Sequence, residues 1–177
     1  LHAGNFTISG SVSSQFITGL LFAASLMKDD STIEILGKLE SSPYVMMTQN
    51  ALSAFGVDST NYRVKGGQVF HSPGMLNVEG DWSNGAFFLA AQALGEEVAV
   101  KNLDPHSAQG DRAVQHWLSV LSKQHCTISA ADIPDLVPIL AVVAGRKFGA
   151  CFTDIQRLRL KETDRVETVC AMIRALG

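Results

Sequence analysis

Three times along this chain an apolar stretch runs into a short patch of small polar residues that opens an apolar helix: "NFTISGSVSSQFITGLLFAA", "MLNVEGDWSNGAFFLAAQALG" and "CTISAADIPDLVPILAVVAG". Repetition of one strand–turn–helix plan restricts the chain to stacked copies of a supersecondary unit, since a single copy cannot bury its own apolar face. In the first copy the strand "NFTISG" leads through the turn "SVSSQ" to the helix "FITGLLFAASLM", and a strand "STIEILGKL" follows. A second helix begins near Ser42-Pro43, where proline suits the first turn, and ends with Gly56 at its C′ position. Strands "STNYRV" and "GQVFHS" flank Gly66-Gly67 as a hairpin, so the unit reads βαβαββ and the fold class α/β of the α+β type. The second copy continues with a strand "EEVAVKNL" and an amphipathic helix "QGDRAVQHWLSVLSK"; the third continues with a strand "GACFTDI" and a closing helix. Gly10 to Asp81 is 71 positions but Asp81 to Asp135 only 54, and the shortfall lies after Lys123, where a hairpin or loop is missing.

The closing stretch "RLRLKETDRVETVCAMIRALG" sets four cations at the start of that last helix. Val166, Val169, Cys170 and Ile173 have the spacing of one buried helix face, and Asp164 or Thr163 serves as N-cap. A helix N-terminus carries roughly half a positive charge, so Arg165 in the first turn is unfavourable unless an anion sits there. Before it, Arg157, Arg159 and Lys161 alternate with apolar residues in an extended run and point to one side. Two readings stand: a pocket for an anion, or a solvated face in which Lys161 and Arg165 pair with Glu162 and Asp164.

The net charge of -3 makes this cluster a local feature of a mildly acidic protein. That argues against nucleic acid or a membrane surface as partner and favours a small anionic ligand. Cys126, Cys151 and Cys170, odd in number and widely spaced, read as reduced, buried, cytosolic thiols. His2, His71, His106, His116 and His125 show no metal spacing and read as structural or exposed. The longest apolar runs fall short of the ~20 residues of a membrane span, and no signal pattern opens the chain. A cytoplasmic protein is expected.

Each repeat places small polar residues at a helix N-terminus: Ser13-Ser14-Gln15, Asp81-Trp82-Ser83-Asn84 and Asp132-Ile133-Pro134-Asp135. Singly these read as N-caps; gathered around one axis they would form an anion site. With "GSVSSQFITGLLFAA", "SSPYV", "VEGDWSNGAFFLAA", "ADIPDLVPILAVVA" and above all "LRLKETDR", in that order, the chain resembles the 5-enolpyruvylshikimate-3-phosphate synthase family. The resemblance implies two lobes built from βαβαββ units, with the active site in the cleft between them. Residues 1–78 would belong to the first lobe and 79–177 to the second. It also implies transfer of the enolpyruvyl group of phosphoenolpyruvate to the 5-hydroxyl of shikimate 3-phosphate, in the shikimate pathway of aromatic amino-acid biosynthesis, without metal or organic cofactor. By resemblance, Ser13, Ser14 and Gln15 hold the shikimate phosphate, and Ser41 and Tyr44 add contacts. Asp135 orients and deprotonates the hydroxyl, with a helix cap as its alternative role, and Glu162 protonates the methylene carbon. Lys161 contacts shikimate oxygens and Arg165 binds phosphoenolpyruvate. Arg157 stands where some members carry a phosphate-binding asparagine, and Asp81 and Ser83 shape the crossover between lobes.

The chain opens at Leu1 without methionine, and further family lysines and arginines fall outside it, so it is expected to be a fragment inactive alone. Its repeat faces, lacking neighbours, are expected to self-associate. Two other readings are an enzyme transferring enolpyruvyl to UDP-N-acetylglucosamine and a non-catalytic anion-binding module of the same fold.

Overall fold

A computed structural model describes residues 2–161 and 163–177. The chain divides into two compact units, the first ending at Val78 and the second spanning Glu79–Gly177.

In the first unit, β1 (Asn5–Ser9), α1 (Ser14–Ser25), β2 (Ser31–Leu36) and α2 (Ser42–Ala54) alternate, and β3 (Arg63–Val64) follows. β1 and β2 pair in parallel from Asn5↔Thr32 to Ser9↔Leu36, and β3 joins β2 antiparallel with Ser31 opposite Val64. The helices lie where their apolar period puts them. Ile17, Leu21 and Ala24 of α1 and Val45 and Leu52 of α2 are buried with Ile33, Val57 and Val64 in one core. α2 ends as its sequence predicts: Gly56 takes φ +81°, and the Val57 amide donates to the Leu52 carbonyl at 2.9 Å.

The hairpin expected across Gly66-Gly67 does not form. Residues 68–73 have no strand, because their polar groups go elsewhere: the Gln68 side chain exchanges hydrogen bonds with the Asp58 backbone, and the His71 amide donates to the Phe55 carbonyl at 2.8 Å. The unit is therefore βαβαβ.

In the second unit α3 (Trp82–Leu94) precedes a 3-10 turn (Gly110–Ala113) that runs directly into α4 (Val114–Leu121). Then come β4 (Cys126–Ser129), α5 (Val137–Arg146), β5 (Ala150–Thr153), a second 3-10 turn (Gln156–Leu160) and α6 (Arg165–Leu176). β4 and β5 form a two-stranded parallel sheet in the register Cys126↔Ala150 to Ser129↔Thr153. Trp82, Ala86 and Ala90 of α3 pack with Val114, Leu118, Leu121, Ile128, Leu140 and Val143. The strands expected at "MLNVEG" and "EEVAVKNL" are absent; the Gly80 amide reaches the Asn102 carbonyl at 2.8 Å, but no ladder extends from that bond.

Three further expectations are corrected. The run through Arg157 and Arg159 is not extended but a 3-10 turn, which buries Leu158 and sends the cations in different directions, since its period is three rather than two. The α6 face is not buried: Val166, Val169 and Ile173 are half-exposed and Cys170 exposed. The cysteines are free but not all buried. Cys126 is half-buried, and burial pushes its thiol up, whereas Cys151 lies on the outward side of β5 and is exposed, as is Cys170. The five histidines are all exposed.

Candidate functional site

The residues singled out by sequence fall into one group in each unit. In the first unit, parallel pairing puts the β1–α1 and β2–α2 turns at the same end of the sheet, and backbone bonds join them: the Gly10 amide donates to the Leu36 carbonyl at 2.9 Å, and the Glu40 amide to the Gly10 carbonyl at 3.1 Å. Gly10 is required by this approach, since a Cβ there would stand 2.7 Å from the Lys38 carbonyl oxygen. The two turns carry Ser13, Ser14 and Gln15 on one side and Ser41 and Tyr44 on the other.

Ser13 is the N-cap of α1, its hydroxyl accepting the Gln15 amide at 3.3 Å. Ser14, the first helical residue, is 5 % exposed, while the Gln15 side chain is exposed. Ser41 begins α2 in the left-handed region at φ 54°, buried to 2 %, a conformation that costs a non-glycine residue about 1–3 kcal/mol and concentrates at functional sites. Its carbonyl accepts the Tyr44 amide at 3.1 Å, and the Tyr44 carbonyl accepts the Thr48 hydroxyl, which in turn meets Thr18 of α1 at 2.9 Å.

The second unit resolves the cation at a helix start. Asp164 caps α6, accepting the Val166 and Glu167 amides at 2.9 and 3.1 Å, and its other oxygen takes the Arg159 guanidinium at 2.7 Å. The Glu167 amide above all, with Arg159 and the Val166 amide, holds the Asp164 carboxyl below its usual range. Arg165 donates to Asp135 Oδ1, and Lys161 Nζ stands 3.9 Å from the same oxygen. The anion that makes Arg165 tolerable is thus a carboxylate of the chain itself, and the pairing of Lys161 and Arg165 with Asp164 is not what forms. The first α5 residue is Val137 with Leu136 at its N-cap, so Asp135 sits just outside the cap position, facing α6. Arg157 is half-buried in the 3-10 turn. Glu162 lies outside the described residues.

One buried group had no sequence signal beyond an acid in a first helical turn. Asp111, 2 % exposed in the 3-10 turn before α4, accepts the Ser83 hydroxyl of α3 on Oδ2, and its Oδ1 has no hydrogen-bond partner among the described residues. Burial pushes the Asp111 carboxyl up; Ser83 opposes this, Asp135 and Asp81 add to it, and Lys161 draws it down. Gln109 clamps the two helix starts, accepting the Trp82 amide at 2.8 Å and donating to the Gly80 carbonyl at 2.9 Å. Asp81 caps α3 through the Ser83 and Asn84 amides. The starts of α3, α4, α5 and α6 thereby bring three carboxylates, Lys161 and Arg165 into mutual range. Among the described residues no group of His, Cys, Asp and Glu could hold a metal ion, and no helix is long and apolar enough to cross a membrane.

Residues 1–177 match the family model described as EPSP synthase (3-phosphoshikimate 1-carboxyvinyltransferase). The chain is similar to the 3-phosphoshikimate 1-carboxyvinyltransferase of Clostridium kluyveri, at 38% identity over all of this chain and 46% of the relative. It is 35% identical to that of Clostridioides difficile, over all of the chain and 45% of the relative, and 38% identical to that of Salmonella heidelberg, over 98% and 46%. The chain therefore spans somewhat under half the length of the curated relatives it matches.

Proposed function

The chain belongs to the EPSP synthase family, and on that premise we propose that it forms part of an enzyme that transfers the enolpyruvyl group of phosphoenolpyruvate to the 5-hydroxyl of shikimate 3-phosphate, releasing phosphate, in the cytoplasm. The observation that carries the reading is the Lys161–Asp135–Arg165 arrangement at the start of α6. A carboxylate can serve as base for the hydroxyl only in its ionised form, and neighbouring cations favour that form. The same guanidinium suits a substrate carboxylate or phosphate bidentately.

In this reading Ser13 and Ser14 offer hydroxyl and backbone donors to the shikimate phosphate, with Gln15, Ser41 and Tyr44 orienting the sugar-like ring. Arg157 adds charge to phosphate binding, Lys161 contacts shikimate oxygens, and Arg165 binds phosphoenolpyruvate. Asp135 takes the hydroxyl proton as the oxygen bonds to the central enol carbon, while Glu162 delivers a proton to the methylene carbon. Phosphate leaves the resulting tetrahedral intermediate as the new methyl group gives a proton back to Glu162, which re-forms the carbon–carbon double bond, now as an enol ether.

The test replaces the corresponding segment of the Clostridium kluyveri relative with residues 1–177 and follows phosphate release. The chimera should turn over shikimate 3-phosphate and not UDP-N-acetylglucosamine, and Asp135→Asn should lower kcat about 100-fold or more. Use of the UDP-sugar, or an Asp135→Asn chimera as fast as its parent, would overturn the assignment. The 177-residue chain alone should show no turnover with both substrates.

A further inference from the structure

α1 and α2 share an apolar core through Ile17, Leu21, Val45 and Leu52, and apolar contact is non-directional, so it does not by itself fix how far one helix slides along the other. A directional link crosses the same seam. The Thr18 and Thr48 hydroxyls stand 2.9 Å apart, and Thr48 is 7 % exposed. A hydroxyl has one proton to give. Thr48 gives its own to the Tyr44 carbonyl at 3.1 Å, so Thr18 is the donor between the two hydroxyls. The chain of donors runs from Thr18 through Thr48 to the Tyr44 carbonyl, and the Tyr44 amide carries it on to the Ser41 carbonyl at 3.1 Å. Ser14 lies four residues before Thr18, and Tyr44 four before Thr48. Each hydroxyl therefore sits one helical turn behind a residue of the two turns that carry the serines, on the same helix face.

We propose that Thr18 and Thr48 are positioning residues for shikimate 3-phosphate: their hydroxyl pair sets the register of α1 on α2, and with it the spacing of Ser13 and Ser14 on one turn from Ser41 and Tyr44 on the other. Ser41 makes that spacing demanding. Its backbone is held in the left-handed region at φ 54°, a conformation that persists only where the surroundings over-determine it, and the Thr48–Tyr44 and Tyr44–Ser41 bonds are part of that support. Neither threonine touches the substrate; both act through the turns they tie together. Valine at either position keeps the shape of the seam but leaves a polar partner unmatched and the register unset. The inference rests on the proposed role of Ser13, Ser14, Ser41 and Tyr44 as shikimate 3-phosphate ligands.

The test measures KM for each substrate, kcat and the melting temperature in the Clostridium kluyveri chimera and its variants. Thr48→Val and Thr18→Val should each raise KM for shikimate 3-phosphate about fivefold, the scale of one lost hydrogen bond, while KM for phosphoenolpyruvate and kcat stay within about twofold. Thr48→Ser, which keeps the hydroxyl and drops the methyl, should return KM to the parent's value. The double valine variant should be no weaker than Thr48→Val, because both changes cut one chain of donors. If Thr48→Val does not fold, Thr18→Val decides the matter, since Thr18 is half-buried. A melting temperature that falls while KM stays unchanged makes the pair ordinary packing and overturns the inference alone. So do equal rises in KM for both substrates, losses that add in the double variant, or a Thr48→Ser variant as weak as Thr48→Val. A chimera that does not turn over shikimate 3-phosphate overturns both the inference and the reading beneath it.

Discussion

Arg165 stands where the dipole of α6 repels a cation, and Asp135 reconciles it with that place. Asp135→Asn should therefore lower turnover in the chimera while leaving its melting temperature within a few degrees of the parent; a loss of both would mark Asp135 as merely structural. Asp164 provides a separate pH signature. Its folded pKa is depressed, so its stabilising effect is present above the unfolded value of about 3.9 and is lost as pH falls through the folded value. The parent should lose stability on acidification below about pH 4 more steeply than Asp164→Asn, measured as the pH dependence of the melting temperature. Asp164, Lys161 and Arg165 were legible in the sequence because a cap and a charge run are local patterns. The pairings were not: Asp135, itself singled out, is 30 positions from Arg165, and Ser83 is 28 from Asp111, separations that periodicity does not join.

Helices and strands differed in how far the sequence reached them, for a physical reason. A helix closes its hydrogen bonds within itself, so caps and apolar period sufficed to mark α1 to α6, with α2 starting at Ser42 and α6 at Arg165. A strand needs a neighbour's backbone. "MLNVEG" alternates correctly, yet Met75 is 91 % exposed and no ladder reaches it. Asp81→Ala, which strips the α3 cap and leaves the Ser83 and Asn84 amides unmatched, should cost about 1 kcal/mol. In a chain of this size that lowers Tm by about 2–4 °C in a thermal melt. Gly10→Ala acts on two elements at once. The new Cβ meets the Lys38 carbonyl and lies 2.9 Å from Leu39 Cα, so the β1–α1 and β2–α2 turns must part. Loss of shikimate 3-phosphate binding with α1 and α2 intact by circular dichroism is the expected result; unchanged affinity would show that Ser13 and Ser41 need not be held together.

Each unit has its own core, but neither covers its sheet. The first sheet has outer strands β1 and β3, and the second consists of β4 and β5 alone, so backbone edges stand without ladder partners among the described residues. Phe87 and Phe88 of α3, Leu160, and Met75, Leu76 and Val78 add apolar side chains that are more than half exposed. Unpaired edges and apolar patches of this kind are where chains add to one another, and fewer than three strands seldom stand alone in water. The isolated chain is therefore expected to self-associate as its concentration rises. The association should be driven by apolar contact rather than charge. Sedimentation velocity over a concentration series would show weight-average mass climbing from 19.0 kDa, little altered by added salt. Lys substituted for Phe87 and Val78 together should hold the chain monomeric while leaving the buried α3 face of Trp82, Ala86 and Ala90 untouched. A chain monomeric at every concentration would mean that these faces are shielded by the chain's own segments in solution, and salt-sensitive association would move the cause to the cations of α6.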